Sequence, residues 1–396
     1  MSQDISGRPR IYLDNAATSW PKPPAVYAAV DHYQRELGAP AGRSGYAEAV
    51  VVAQAVEDAR RRIARLLGLA DPTHLIFTAN GTDSLNLVIH GLLNAGDHVI
   101  TSVVEHNSVL RPLTHLEDAE QITVTRVGCG SSGIVDPGEI RAALRPATRL
   151  IVLAHASNVT GAVQPVAEVG RIAREAGVLL LCDAAQTVGH VPVEMAQLHV
   201  DFLAASGHKG LLGPLGTGVL AVRPEVAHVL RSVRQGGTGT HSEQTRQPDD
   251  LPAKFEAGNL NVPGILGLGA GAGYLAECGL NEVHRRGLEL TSRLLDGFRA
   301  IKGLRVLGPP TAQQRVPLVS IVVEGYDPQE VAFSLDAIYR IQVRPGLHCA
   351  PAMHRWLGTH ETGGTVRFSL GALTTSAEID AAVDAIAEVA SSEMWI

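Results

Sequence analysis

The chain has 396 residues, 45% of them hydrophobic, and a formal net charge of −7. That length buries a large core and divides into about two domains, and its mixed charges, with no dense Lys/Arg block, argue against a nucleic acid or an anionic membrane as partner. Four cysteines (Cys129, Cys182, Cys278 and Cys349) lie far apart with no C-x-x-C pair, so neither a zinc ribbon nor a disulfide framework is indicated.

The N-terminal "MSQDISGRPR" lacks the basic and apolar regions of a secretory signal, so the expected location is the cytoplasm. From about residue 50 to 225 short apolar runs alternate with amphipathic segments, the pattern of helices covering both faces of a mainly parallel sheet. The spacing predicts helices over 49–69 and 166–177, and strands over 74–79, 98–104, 122–127, 149–157, 178–186, 201–209 and 216–224. The Gly-rich, polar stretch 234–261 follows. "PGILGLGAGAGYLAECGL" (263–280) comes nearest to a membrane span, but it holds six glycines and Glu277 and falls short of about 20 continuous apolar residues. A tightly packed core helix accounts for it better, as part of one helical region over about 264–300. The remaining short strands and helices, ending in the helix "SAEIDAAVDAIAEVAS", suggest a second, smaller α+β domain.

Five strand ends each carry a distinct polar group. Asn80-Gly81-Thr82 opens a helix and offers N–H groups and a hydroxyl to an anion. His106 and Asn158 follow the next strands, and Asp183 ends another with Gln186 three residues on. Lys209 ends a buried strand in "ASGHKG", beside Ser206 and His208. A lysine there is expensive to bury unless paired or chemically used. Each feature has a bland reading: a surface lysine, a helix cap at Asp183, a structural histidine. Their common position beyond the carboxyl ends of parallel strands, where open sheets bind ligands, argues for one crevice. "GTGVLA" (216–221) matches a dinucleotide fingerprint but enters a strand instead of opening a helix, and no G-K dipeptide exists for a P-loop.

The octapeptide "RPGLHCAP" (344–351) sets Cys349 beside His348 in a Gly- and Pro-bounded loop. Spacing removes the metal-ligand reading and leaves a small apolar filler or a nucleophile.

Together, S-G-H-K, the upstream D-x-x-Q, the turn ahead of a helix and the intervening His resemble pyridoxal-phosphate enzymes of fold type I, in the class V aminotransferase branch. "VRPGLHCAP" and "GTVRFSLG" are similar to the cysteine desulfurases and selenocysteine lyases with a short R-x-G-x-H-C loop, and the likeness runs from "IYLDNAATSWPKPPAV" to "GALTTSAEID". The resemblance implies a large α/β domain, residues 16–265, with a mainly parallel seven-stranded sheet, and a small α+β domain, 266–396 with 1–15. It implies pyridoxal 5′-phosphate as cofactor, with Lys209 holding it as a Schiff base and later moving the Cα proton. Asp183 would pair with the ring nitrogen, Gln186 with the ring hydroxyl, and His106 would stack on the ring and shuttle protons. Gly81, Thr82, Ser206 and His208 would hold the phosphate, and Asn158 would sit near the ring hydroxyl and the substrate carboxylate. Arg367 would clamp that carboxylate, with Arg344 beside it, and Cys349 would accept sulfur from L-cysteine as a persulfide, leaving L-alanine. Asn259 stands where relatives carry a Thr that reaches a partner subunit's phosphate across a homodimer. A sulfur-acceptor protein or iron–sulfur cluster scaffold would take the sulfur. The alternatives are a selenocysteine lyase acting on L-selenocysteine, or a class V lyase, transaminase or epimerase with Cys349 incidental.

Overall fold

Each of the seven apolar runs expected to be strands forms one, and all seven join one sheet. The structure is a computed structural model that describes residues 9–42, 44–240 and 242–391. Residues 1–8, which carry most of the cytoplasmic reading, lie outside the described residues. The chain enters through β1 (Ile11–Tyr12), α1 (Pro24–His32) and α2 (Ala47–Leu66). It continues with β2 (Leu75–Thr78), α3 (Gly81–Leu92), β3 (His98–Ser102), α4 (Asn107–Asp118), β4 (Thr123–Val127) and α5 (Pro137–Ala142). Then come β5 (Thr148–Ala154), α6 (Val166–Glu175), β6 (Leu179–Asp183), β7 (Phe202–Ser206) and β8 (Gly218–Val222).

The strand order is β2-β8-β7-β6-β5-β3-β4. Neighbours from β7 to β4 are parallel, whereas β8 runs antiparallel between β2 and β7. A loop from β7 straight into β8 explains the reversal, since a parallel return would need a crossover element. Side chains alternate between two cores: Ile151 and Leu153 of β5 pack on one face, Leu150 and Val152 on the other. Burial on both faces is why these strands, the partly exposed edge strand β4 apart, read as continuous apolar runs. From β3 the chain moves to β4 on one side and to β5 on the other, so the order reverses between β3 and β5. A crevice opens there beyond their carboxyl ends.

The expected single helical region is two helices, α7 (Val262–Cys278) and α8 (Leu280–Arg299), broken at Gly279, whose φ is 79°. The glycine-rich face of α7 lies against α1 and α2, with Gly267 facing Val30 and Gly269 facing Ala59. That packing explains Gly267, Gly269 and Gly273, the last facing Arg62, while Gly279 serves the break. Among the described residues no helix is long and apolar enough to cross a membrane.

A second sheet follows, built from β9 (Leu304–Val306), β10 (Leu318–Val323), β12 (Arg344–Gly346) and β13 (Thr365–Ser369) in the antiparallel order β12-β13-β10-β9. Helices α8, α9 (Pro328–Tyr339) and α11 (Ser376–Ser391) enclose its own core, where Phe298 meets Phe368 edge-on at 4.9 Å between ring centroids. Strand β11 (Ile341–Gln342) pairs in parallel with β1, stitching the N-terminal segment to this second unit. The short helix α10 (Pro351–Trp356) follows the loop after β12.

Candidate active site

A cavity of about 220 Å³ lies at the carboxyl ends of the large sheet and under the edge of the small one. Strand β6 delivers Asp183 to it, 7% exposed, with Oδ1 accepting from the Ala185 N–H at 3.0 Å. No helix follows, so this is a local turn and not a helix cap. Gln186 on the same turn donates through Nε2 to the Ala16 carbonyl at 3.2 Å. Strand β7 ends at Ser206, and the next residues bring His208 and Lys209 to the cavity. At the end of β2, Asn80 caps α3 by accepting from the Asp83 N–H at 2.9 Å, leaving Gly81 and Thr82 at the helix start. A Cβ on Gly81 would lie 2.6 Å from Ser206 Oγ, so only glycine lets the two turns close on each other.

Burial brings the Lys209 amine down to about 8, and Arg367 and Arg344 push the same way against Asp183. The same burial pushes the Asp183 carboxyl up, opposed by the Ala185 N–H and Lys209. His106, at the N-cap of α4, falls to about 4 through burial and the nearby cations. Its Nδ1 accepts from the Ser108 N–H at 3.0 Å, which puts the proton of the neutral ring on Nε2. Ser108 also lines the cavity, with Oγ 2.8 Å from His106 Nδ1 and 2.7 Å from Thr82 Oγ1. It was missed in the sequence, where only its place two residues after His106 could have flagged it.

The small sheet contributes two arginines that are cross-strand partners, Arg344 on β12 and Arg367 on β13. Like charges directly opposite repel, and each has its own balance here. Arg367 is fully buried, with Nη2 donating to Asp14 Oδ1 at 2.9 Å and Nη1 to the Asn158 carbonyl at 3.1 Å. Arg344 Nη2 lies 3.4 Å from Cys349 Sγ. His348 does not share in this: it is buried, its Nε2 lies 2.8 Å from Thr365 Oγ1, and burial pulls it well below the usual imidazole range. His348 and Cys349 both adopt positive φ, 49° and 58°. Their carbonyls are held by Asn158 Nδ2 at 2.5 Å and by the Asn107 N–H at 2.8 Å.

Eleven of the expected site residues therefore line one cavity: Gly81, Thr82, His106, Asn158, Asp183, Gln186, Ser206, His208, Lys209, Arg344 and Arg367. Cys349 is not among the lining residues; it meets the cavity through Arg344, whose Nη2 lies 3.4 Å from its Sγ. Asn259 borders separate grooves beside Glu256 and Leu260. Three lining residues carry buried polar atoms with no partner among the described residues, namely Asn158 Oδ1, His208 Nδ1 and Arg367 Nε. Arg367 Nε donates, Asn158 Oδ1 accepts and His208 Nδ1 can do either, so a ligand with both anionic oxygens and a hydroxyl, such as a phosphate-bearing ring, would satisfy them. No group of three or more His, Cys, Asp or Glu suited to a metal ion occurs among the described residues.

The aminotransferase class-V family model matches residues 11–382. A probable cysteine desulfurase of Methanothermobacter thermautotrophicus is 38% identical over 387 residues, covering 97% of this chain and 95% of the relative. One of Halalkalibacterium halodurans is 33% identical, over 96% and 93%. The structure of an apo cysteine desulfurase from Thermococcus onnurineus superposes with a TM-score of 0.90 at 32% identity, covering 96% of this chain and 94% of that one. An Escherichia coli cysteine desulfurase gives 0.86 at 30%, with the same coverage. With the fold of type I pyridoxal-phosphate enzymes, the chain belongs to the aminotransferase class-V family, on its cysteine desulfurase branch.

Proposed function

We propose that the protein is a pyridoxal-phosphate-dependent cysteine desulfurase that moves sulfur from L-cysteine to Cys349 and releases L-alanine. One observation carries this reading: Cys349 Sγ lies against the guanidinium of Arg344, which lines the same cavity as Lys209 and Asp183. Asp183 is the group for the ring nitrogen, Gln186 and Asn158 for the ring hydroxyl, and Gly81, Thr82, Ser206 and His208 for the phosphate. The bound cofactor supplies an electron sink that makes the substrate Cα proton acidic.

Arg367 takes the substrate carboxylate, its planar fork already held by Asp14 and Asn158. Lys209, with an amine at about 8, gives up and takes a proton near neutral pH and serves Cα as base. His106, neutral with its proton on Nε2, is placed to donate. Cys349 attacks the substrate sulfur: an S–S bond forms, the Cβ–S bond breaks, and the electron pair left on carbon is protonated to give alanine. Arg344 is the cationic donor beside the attacking sulfur and His348 is not, because the His348 ring turns to Thr365. The reading extends to a homodimer, in which Asn259 reaches the partner's cofactor phosphate, and to an acceptor protein or cluster scaffold that takes the persulfide.

Mass spectrometry after incubation with L-cysteine tests the proposal. The expected result is about 32 Da added at Cys349, and alanine formed with no adduct there would overturn it. The C349A variant separates the rivals. Loss on L-cysteine alone supports desulfuration, whereas unchanged turnover of L-cysteine and L-selenocysteine would make the thiol incidental.

A further inference from the structure

Residues 14–22 run from the small sheet to the turn that carries Lys209. At one end Asp14 holds Arg367, and the Ala16 N–H donates to Ser369 Oγ at 2.8 Å. At the other, three donors converge on one carbonyl oxygen, that of His208: the Ser19 N–H at 2.9 Å, Ser19 Oγ at 3.1 Å and Thr18 Oγ1 at 3.2 Å. That carbonyl belongs to the peptide joining His208 to Lys209. Because the peptide is planar, fixing its oxygen fixes the direction in which the chain enters Lys209.

Behind Ser19 stands Lys22. Its Nζ donates to Ser19 Oγ at 2.8 Å and to the Ser19 carbonyl at 3.1 Å. An ammonium donates and never accepts, so the Ser19 hydroxyl must receive from Lys22 and turn its own proton toward the His208 carbonyl. The hydroxyl is thereby given one orientation. Lys22 is half-buried, and burial brings it down to about 8, with no carboxylate among the described residues compensating. A partly desolvated cation costs folding free energy, and among the described residues its two hydrogen bonds to Ser19, and no ion pair, offset that cost. Burial and the Lys209 charge bring His208 down to about 4, and the Lys22 charge adds a smaller push the same way.

We propose that Lys22 is a positioning residue for Lys209, acting through Ser19 and the His208 carbonyl. The inference rests on the cofactor reading above, and nothing in that reading uses Lys22. Its test is the affinity of the full-length protein for pyridoxal 5′-phosphate, followed by absorbance near ~400 nm, together with steady-state kinetics and thermal unfolding of the cofactor-free chain.

The K22M variant should bind the cofactor about tenfold more weakly, the equivalent of one charge-assisted hydrogen bond. Its kcat should fall at saturating cofactor while KM for L-cysteine, set at the Arg367 end, stays unchanged. The melting temperature of the cofactor-free chain should stay level or rise, since a charge penalty is removed. K22R, which can still donate to Ser19, should restore most of the affinity, and S19A should show a smaller loss in the same direction. Unchanged affinity in K22M, a fall in the melting temperature of its cofactor-free form, or failure of K22R to rescue would each overturn the proposal. Wild-type protein that binds no pyridoxal 5′-phosphate would instead overturn the functional reading itself.

Discussion

The strand ends of the large sheet and the loop after β12 present reactive groups by opposite means. Asp183 and Lys209 leave strands β6 and β7, which are buried along nearly their whole length, through turns closed by backbone hydrogen bonds. Cys349 stands between β12 and α10, in a loop where two consecutive non-glycine residues adopt left-handed backbone. Each such residue costs about 1–2 kcal/mol, and the bonds from Asn158 and Asn107 to the two carbonyls offset part of that. The difference follows the work proposed for each group. Cofactor and proton-moving groups need one fixed aim and sit on the sheet, whereas the thiol must meet a substrate inside and then present its sulfur outside, and it sits on a strained loop.

The strongest way to break the comparison is at the sheet. The K209M variant removes the amine that holds the cofactor and moves the proton, so alanine formation should fall by about 10³-fold or more. It also tests the electrostatics. Burial holds the Lys209 amine at about 8, below the ordinary 10.5. Between those values the unfolded chain keeps a proton that the folded chain has lost, so stability of the cofactor-free protein rises as pH climbs from about 8 to 10.5. K209M should rise less steeply, keeping only what other depressed groups such as Lys22 contribute. Thermal unfolding of both proteins across the window measures it, and parallel curves would mean that the amine is not depressed.

The same contrast governs what could be read beforehand. Strand ends were legible because doubly buried strands give unbroken apolar runs, and a polar residue closing each run stands out. Asp183, His106, Asn158 and Lys209 were found in that way. Residues held by tertiary contacts gave no such signal. Asp14 and Ser369 meet across most of the chain, and Lys22 reads as one more polar residue between prolines. The direction of β8 was equally hidden, since an apolar run has the same composition whichever way it points. The break at Gly279 escaped because α7 and α8 are both helical and only one residue separates them.

A finer test separates the two arginines, which are neighbours in register but differ in partner. R367K keeps the charge and loses the bidentate fork, so KM for L-cysteine should rise about tenfold or more. R344M leaves that fork in place and removes the donor at Cys349 Sγ. The adduct should then form about tenfold more slowly at saturating L-cysteine, with cofactor affinity unchanged. Equal effects of both variants on KM would show that the two arginines form one carboxylate site and that the sulfur contact is incidental.

The smallest effect reads the loop strain directly, free of any chemistry. C349A and C349G both lack the thiol and differ at a position whose φ is 58°. Alanine there keeps the Cβ clash of the left-handed region, about 1–2 kcal/mol, while glycine escapes it and gives back roughly 0.5–1 kcal/mol in chain entropy. C349G should therefore be the more stable of the two, by about 0.5–1 kcal/mol in denaturant unfolding. The same sign holds at the sheet for a different reason, because alanine at Gly81 would press on Ser206 Oγ. If C349A proved as stable as C349G, the loop after β12 would carry no strain, and the thiol would be held as firmly as the groups on the strands.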